Sequence, residues 1–139
     1  MYYFIKEHFH VYLPEHCGHG KSYRLVEDPS LVYVDSYHRY VEDLLFVARK
    51  AKAEACGLPL VLYSHSMGGG IAAAAAAKAP HLFRKVVLSS PMIRPLTGKV
   101  PFADAKRIAA FACATERGTQ YVVGQKPYQP RRASSLLRR

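Results

Sequence analysis

The sequence predicts an α/β fold in which a parallel sheet is flanked by helices. Two short, almost entirely apolar runs, at 60–63 and 86–88, have the composition of strands that are buried on both faces of a parallel sheet. A stretch with six consecutive alanines lies between them, and an amphipathic stretch precedes the first run. Strand and helix therefore alternate along the chain, which is the order that builds parallel α/β architecture.

The size and composition of the chain limit it to one globular domain or less. It has 139 residues, of which half are apolar and 22% are charged. A chain of this length buries roughly 70% of the surface that it exposes when unfolded, which is a real core but a small one for an enzyme with a large sheet. The three cysteines have no paired short spacing, so they predict neither a disulfide framework nor a four-thiolate zinc site, and they favour a reduced, cytoplasmic setting.

The first half of the chain predicts a helix, a strand and a longer helix. Residues 1–9 have the pattern of the end of a helix, and 10–13 (HVYL) have the pattern of a strand. Proline and glycine punctuate the loop that follows, from 14 to 30. Apolar residues recur at helical spacing between 36 and 56, and Gly57 ends that helix. Five aromatic side chains of these segments are expected in the core or against the sheet: Tyr2, Tyr3, Phe4, Tyr37 and Tyr40.

The second half of the chain predicts two strand–helix units. The strand 60–63 leads into a helix over 69–79, because alanine has the highest helix propensity of all residues. The strand 86–88 is followed by helical periodicity at 104–115. The stretch 118–130 then has the composition of a loop.

The net charge of +10 raises the question of a polyanionic partner, but its distribution does not favour one. Four of the positive charges are arginines of the last nine residues, and the remaining excess is scattered rather than arranged in a stripe. We therefore expect no nucleic-acid partner. The first ten residues lack the order of basic, apolar and small residues that marks a signal peptide, and the uncharged stretch before Lys78 contains too many polar residues and glycines to predict a membrane span.

The most informative stretch is LVLYSHSMGGG at 60–70, which predicts a buried strand, a tight turn at Ser66 and the start of a helix. A serine on such a strained turn has its hydroxyl lifted above the sheet edge at a helix N-terminus, which is typical of a nucleophile elbow. Small residues are needed two positions before and after the serine, and Ser64 and Gly68 stand there. A phosphate-binding loop is the alternative for a glycine-rich turn before a helix, but the chain has neither G-x-x-x-x-G-K-[ST] nor G-x-G-x-x-G.

Four stretches carry a resemblance to the α/β-hydrolase superfamily, in the serine aminopeptidase S33-like branch that contains lysophospholipase L2 and the monoacylglycerol lipases. They extend together over residues 1 to about 130, and they are EHCGHGKS at 15–22, HSMGGG at 65–70, LSSPM at 88–92 and GTQYVVGQKPYQP at 118–130. The first is similar to the family's D-x-R-G-H-G-x-S loop, with Glu15 in place of Asp and Cys17 in place of Arg. The last two stretches favour lysophospholipase L2 over the monoacylglycerol lipases.

The resemblance implies a partial α/β-hydrolase fold and a carboxylic-ester hydrolase that acts through an acyl-enzyme on Ser66. It implies that the backbone N–H of Met67 forms half of the oxyanion hole, and that the turn is built from Ser64, His65, Gly68 and Gly69. The implied substrate is a lipid ester, a lysophospholipid or a monoacylglycerol, and the implied chemistry uses no metal and no organic cofactor. The implied location is the cytoplasm, with peripheral contact to the inner face of the membrane.

The partners that a nucleophilic serine needs are not found in the order that the fold requires. That order is serine, then Asp or Glu, then histidine. After Ser66 the acidic residues are Asp104 and Glu116, and His81, the one histidine there, precedes both. His65 is interpreted as a packing and turn-shaping residue rather than the base. We therefore expect an internal fragment of a longer hydrolase; a fragment without activity, or a hydrolase of another small ester or of a peptide, are the alternatives.

The resemblance also divides the chain into three parts. Residues 1–91 are expected to form a partial hydrolase core, 92–130 the beginning of a helical cap, and 131–139 a basic, disordered tail. His16 and His19 have a spacing that suits a metal, but no third ligand accompanies them, so the sequence predicts no metal site.

Overall fold

The computed structural model describes residues 2–122, 125 and 127. Their helices and strands follow one another as α1 (Tyr2–Lys6), α2 (Tyr37–Glu54), β1 (Val61–His65), α3 (Ser66–Lys78), β2 (Lys85–Ser89) and α4 (Phe102–Ala114). The strands pair in parallel, with Val61 opposite Lys85 and His65 opposite Ser89. The predicted α/β class, with a parallel sheet and flanking helices, is confirmed.

Helix α2 forms where the apolar periodicity predicted it. The Ser36 side chain caps its first turn by accepting a hydrogen bond from the His38 N–H at 3.2 Å, which satisfies one of the amides that a helix N-terminus leaves without a partner. Its apolar face is buried against α3 and consists of Tyr40, Val41, Leu44, Leu45, Ala48 and Ala51. The helix ends just before Gly57, whose φ of +88° only glycine adopts without strain.

Helix α3 is the layer between α2 and the sheet, because it contacts α2 and both strands. Ile71, Ala72 and Ala75 are fully buried there and form the core with the apolar face of α2. Because the alanine side chains of α3 project only a short distance from its backbone, the neighbouring elements pack close to that backbone. The core therefore lies on the side of the sheet that α3 covers.

The strand predicted at 10–13 is wrong. In the described part of the chain the sheet has two strands, and β1 has β2 as its sole sheet neighbour. A strand exists only through the ladder of hydrogen bonds to its neighbour. Residues 10–13 instead line one wall of a groove of about 480 Å³, whose opposite wall is β1, so their backbone does not reach the sheet.

Two expectations about burial are also wrong. The strands were predicted to be buried on both faces, yet Val61 is 43% and Tyr63 is 59% exposed, because among the described helices α3 alone contacts them. Of the five aromatic side chains expected in the core or against the sheet, Tyr40 is buried in the core, whereas Tyr2, Tyr3, Phe4 and Tyr37 are exposed. The first three belong to α1, and among them the Phe4 ring lies 6.1 Å from the Tyr63 ring of β1, so Phe4 lies against the sheet.

Candidate functional site

Ser66 lies at the junction between β1 and α3, as predicted. It directly follows the last residue of the strand, is the first residue of the helix, and is exposed. Its φ of +53° is in the left-handed region, which costs a residue other than glycine on the order of 1–3 kcal/mol. Its carbonyl accepts a hydrogen bond from the Met92 N–H at 2.8 Å, so the segment after β2 helps to hold the turn.

The first turn of α3 presents backbone amides next to Ser66. The first four N–H groups of a helix have no carbonyl acceptor within the helix, and Met67 is the second residue of α3. His65 occupies the capping position but makes no side-chain hydrogen bond to these amides within the described structure. The positive end of the helix dipole adds to their attraction for an anion. The Met67 N–H is therefore one of the amides at this end of α3 that attract an anion.

The three glycines after Met67 differ in what surrounds them. A Cβ added to Gly69 would lie 2.8 Å from the Pro91 Cα, and one added to Gly70 would lie 2.4 Å from the Met92 carbonyl oxygen. These two residues therefore let the chain after β2 cross against the backbone of α3. At Gly68 a Cβ would meet nothing within 4 Å, so the steric reason proposed for a small residue there does not hold among the described residues.

Ser64 and His65 are the last two residues of β1, so their side chains lie on opposite faces of the sheet. The Ser64 hydroxyl is buried and has no hydrogen-bond partner among the described residues. The His65 Nδ1 lies 3.2 Å from the Ser89 Oγ, so this side chain joins the last residue of β1 to the last residue of β2. That hydrogen bond supports the interpretation of His65 as a turn-shaping residue.

No acid–base pair accompanies Ser66 within residues 2–122, 125 and 127. No hydrogen bond joins its hydroxyl to a histidine there. His81 follows the C-terminal end of α3, and the 13 residues of that helix separate it from Ser66 by about 20 Å at 1.5 Å per residue. Asp104 lies on α4 and is paired with Arg107 at 3.1 Å.

The loop 15–22 is held together by the carboxylate of its own Glu15 and by the side chain of Arg24 just after it. The Glu15 carboxylate accepts a hydrogen bond from the Lys21 N–H at 2.7 Å. The Arg24 guanidinium donates to the carbonyls of Gly18 and Gly20, the latter at 3.1 Å. Nothing in the sequence singles out Arg24, because it lies outside the motif whose backbone it supports.

The cysteine that replaces the family's arginine in this loop is part of the core. Cys17 is 1% exposed and packs with the buried face of α2. Beside it the His16 ring lies 5.3 Å from the Tyr40 ring, and burial, followed by the neighbouring His19, holds the pKa of His16 below its usual value. Burial therefore favours the neutral form of His16. No group of three potential metal ligands is found in the described part of the chain.

A second contact that the sequence did not predict ties the segment after α4 to the loop before α2. The Tyr121 hydroxyl donates a hydrogen bond to the Asp28 carboxylate at 2.6 Å, across 93 residues of chain. This bond, with those from Ser30, holds the pKa of Asp28 below its usual value.

The groove between β1 and the segment 10–13 is not centred on Ser66. Its lining combines the segment 9–14, the apolar face of α2 and the whole of β1, with Ser64, His65 and Gly68 at one end. Ser66 and Met67 are not among its lining residues. The groove therefore lies beside the strand rather than over the hydroxyl.

Parallel strands flanked by helices, with a serine in a left-handed turn between the first strand and its helix, define this protein as an α/β hydrolase with part of that fold. The model of the family described as serine aminopeptidase, S33, matches residues 1–133. The chain belongs to that family.

Curated relatives carry the names of lipases and lysophospholipases. The chain is 36% identical to the monoglyceride lipase of Homo sapiens over 83 residues, which is 60% of the chain and 26% of the relative. It is 33% identical to the probable lysophospholipase L2 of Haemophilus influenzae over 128 residues, 92% of the chain and 40% of the relative. The monoacylglycerol lipase of Mycolicibacterium smegmatis is 33% identical over 91 residues, 66% of the chain and 31% of the relative.

The chain thus spans well under half the length of these curated relatives. Within the described residues, none of the helices combines the length and the apolar character needed to cross a membrane.

Proposed function

We propose that this chain carries the nucleophile of a lipid-ester hydrolase, with Ser66 forming the acyl-enzyme. The observation that carries the proposal is the position of Ser66, exposed, with a φ of +53°, between β1 and the first turn of α3. A strained strand-to-helix turn of this kind directs a serine hydroxyl at a substrate carbonyl. The names of the relatives support a lysophospholipid or a monoacylglycerol as the substrate.

In the proposed reaction the Ser66 oxygen forms a bond to the ester carbonyl carbon while a base removes its proton. The carbonyl oxygen becomes an anion, and the Met67 N–H donates a hydrogen bond to it, helped by the positive end of α3. The bond to the glycerol oxygen then breaks, that oxygen takes the proton, and water later releases the fatty acid from Ser66. Ser64, His65, Gly68 and Gly69 shape the turn, and no metal or organic cofactor takes part.

The base and the acid of this reaction are proposed to come from outside the described residues. His81 lies about 20 Å from the turn, at the far end of α3, and it precedes Asp104 and Glu116, against the order that the fold requires. For the same reason we propose that the 139-residue chain by itself turns over esters at a negligible rate, since removing the triad partners leaves roughly 10³ to 10⁴-fold acceleration over water even in an intact site.

Residues 1–91 are proposed as part of the hydrolase core, and 92–130 as the start of its cap. Helix α4 lies in the second part and contacts no other described helix or strand. Its Ile108 and Phe111 are exposed, which supports an apolar contact with a lipid substrate or with the inner face of the membrane from the cytoplasm.

The proposal is tested with a fluorophosphonate probe, which labels an activated serine, followed by mass analysis of the labelled peptide. Because the base is missing, imidazole is added as a diffusible substitute. We expect slow labelling of Ser66 that imidazole accelerates. Ser90 is the matched control, since it is also exposed and also has a positive φ, of +44°, but it does not begin a helix.

Labelling should disappear in Ser66→Ala and persist in Ser90→Ala. If Ser66 reacts no faster than Ser90 with or without imidazole, the serine is not a nucleophile and the proposal fails. Ordinary enzyme rates on p-nitrophenyl esters, lost in Ser66→Ala, would instead show that the chain contains its own base.

A further inference from the structure

His65 has the backbone of a helix cap, but its side chain does not cap the helix. The residue directly precedes α3, and its φ of −133° and ψ of 146° are the extended angles that a capping residue adopts. The Nδ1 atom of a histidine lies as many bonds from the Cα as the Oδ1 atom of asparagine, which is a favoured capping residue. Even so, the His65 side chain makes no hydrogen bond to the first turn of α3 within the described structure. Another contact therefore keeps the ring away from the helix.

That contact is a hydrogen bond to Ser89. The two residues are partners in the pairing of β1 with β2, so their side chains lie next to each other at the same end of the sheet. The Ser89 Oγ lies 3.2 Å from the His65 Nδ1, which is the atom that would cap the helix. A ring nitrogen has one lone pair or one proton, so while Nδ1 is joined to Ser89 it accepts no bond from a backbone amide. The bond to Ser89 and a cap on α3 therefore exclude each other.

The amides that such a cap would occupy are those next to the candidate nucleophile. A capping side chain accepts a hydrogen bond from the second or third amide of its helix, and in α3 these belong to Met67 and Gly68. The Met67 N–H is the amide proposed above to bind the oxyanion. A histidine cap would give that amide an acceptor already in place, which the oxyanion would have to displace. The bond to Ser89 removes this competition.

We propose that Ser89 is a positioning residue, which holds the His65 ring at the end of the sheet and leaves the first-turn amides of α3 available to an anion. Ser89 does not touch the reacting atoms and acts only through His65. The effect on ester hydrolysis rests on the proposed function, whereas the effect on the amides does not.

The test measures amide hydrogen exchange and probe labelling on the same variants of the 139-residue chain. NMR gives the exchange rates of the Met67 and Gly68 amides, and the fluorophosphonate with added imidazole gives the labelling rate of Ser66. In Ser89→Ala the ring is able to cap the helix. We therefore expect both rates to fall by about three- to tenfold, the factor that corresponds to one ordinary hydrogen bond. Ser89→Thr keeps a hydroxyl at this position and should keep the rates of the parent chain.

A second set of variants shows whether Ser89 acts through His65. Adding Ser89→Ala to His65→Ala should change neither rate, because the ring that would cap the helix is gone. Ser90→Ala is the matched control, since Ser90 is the next residue, is exposed and lies beyond the paired part of β2. It should leave both rates as they are in the parent chain.

Three results would overturn the proposal. They are unchanged amide exchange in Ser89→Ala, an equal effect of Ser89→Ala with and without the His65 ring, and attachment of the probe to Ser89, which would make it a nucleophile. If Ser66 is not labelled in the parent chain, the proposed function fails, and the amide exchange of the same variants still decides whether Ser89 holds the ring.

Discussion

Two glycines in the same helix predict opposite effects for the same substitution. Alanine is favoured over glycine in a helix by up to about 1 kcal/mol. At Gly68 the new methyl group would meet nothing within 4 Å, so Gly68→Ala should gain that stability. At Gly70 the Cβ would lie 2.4 Å from the Met92 carbonyl oxygen, which is far inside van der Waals contact.

The backbone around Met92 must therefore move in Gly70→Ala. This movement strains the hydrogen bond from the Met92 N–H to the Ser66 carbonyl, a contribution of about 0.5–1.5 kcal/mol, and overpacking costs about 1–3 kcal/mol more. After the gain in helix propensity is subtracted, we expect Gly70→Ala to lower the free energy of unfolding by about 1–3 kcal/mol.

Urea denaturation of the two variants beside the parent chain measures this difference directly. The midpoint should fall for Gly70→Ala and rise or stay level for Gly68→Ala, with unchanged slopes. Equal midpoints for the two variants, or a Gly70→Ala chain as stable as the parent, would show that the close approach of Met92 to α3 does not exist.

Three further predictions concern single residues. The Arg39 guanidinium lowers the pKa of Asp35 to about 2 in the folded chain. The ion pair therefore contributes its full stability above pH 3.8, the ordinary pKa of the carboxyl group, and loses it as the pH falls towards 2. The urea midpoint of Asp35→Asn should vary less between pH 3.8 and pH 2 than the midpoint of the parent chain does. Tyr121→Phe removes the hydroxyl that donates to Asp28, and the pKa of Asp28, followed by NMR titration, should rise. Ser66→Gly should raise the free energy of unfolding by about 1 kcal/mol, measured by urea denaturation, because glycine adopts the left-handed conformation without strain; no gain would mean that the turn is unstrained.

The local elements could be predicted because their signals lie within single stretches of sequence. Each of these signals lies within a stretch about as long as one helix: the apolar spacing of α2, the alanines of α3 and the glycines around Ser66. The strand at 10–13 could not be judged in this way, since its formation depends on a neighbour in space.

Two further contacts that the sequence does not predict are also long-range. Nothing in the sequence connects Tyr121 with Asp28, or Gly70 with Met92, because their proximity is decided by the path of the chain after β2 and α4. The assignment of Ser66 as nucleophile and of 92–130 as cap stays a prediction, and the basic tail at 131–139 lies outside the described residues.

Because Cys17 is buried, its reaction with a thiol reagent reports when the loop 15–22 separates from α2. Cys56 and Cys113 are exposed and free, whereas Cys17 is enclosed by the core. A thiol reagent therefore encounters two accessible sulfhydryls in the folded chain and a third only when the loop 15–22 separates from α2. The rate of that third reaction measures how often this part of the molecule opens under native conditions. In a variant that lacks Cys56 and Cys113, the reaction rate of Cys17 reports motion of the loop without a dye, a tag or a denaturant.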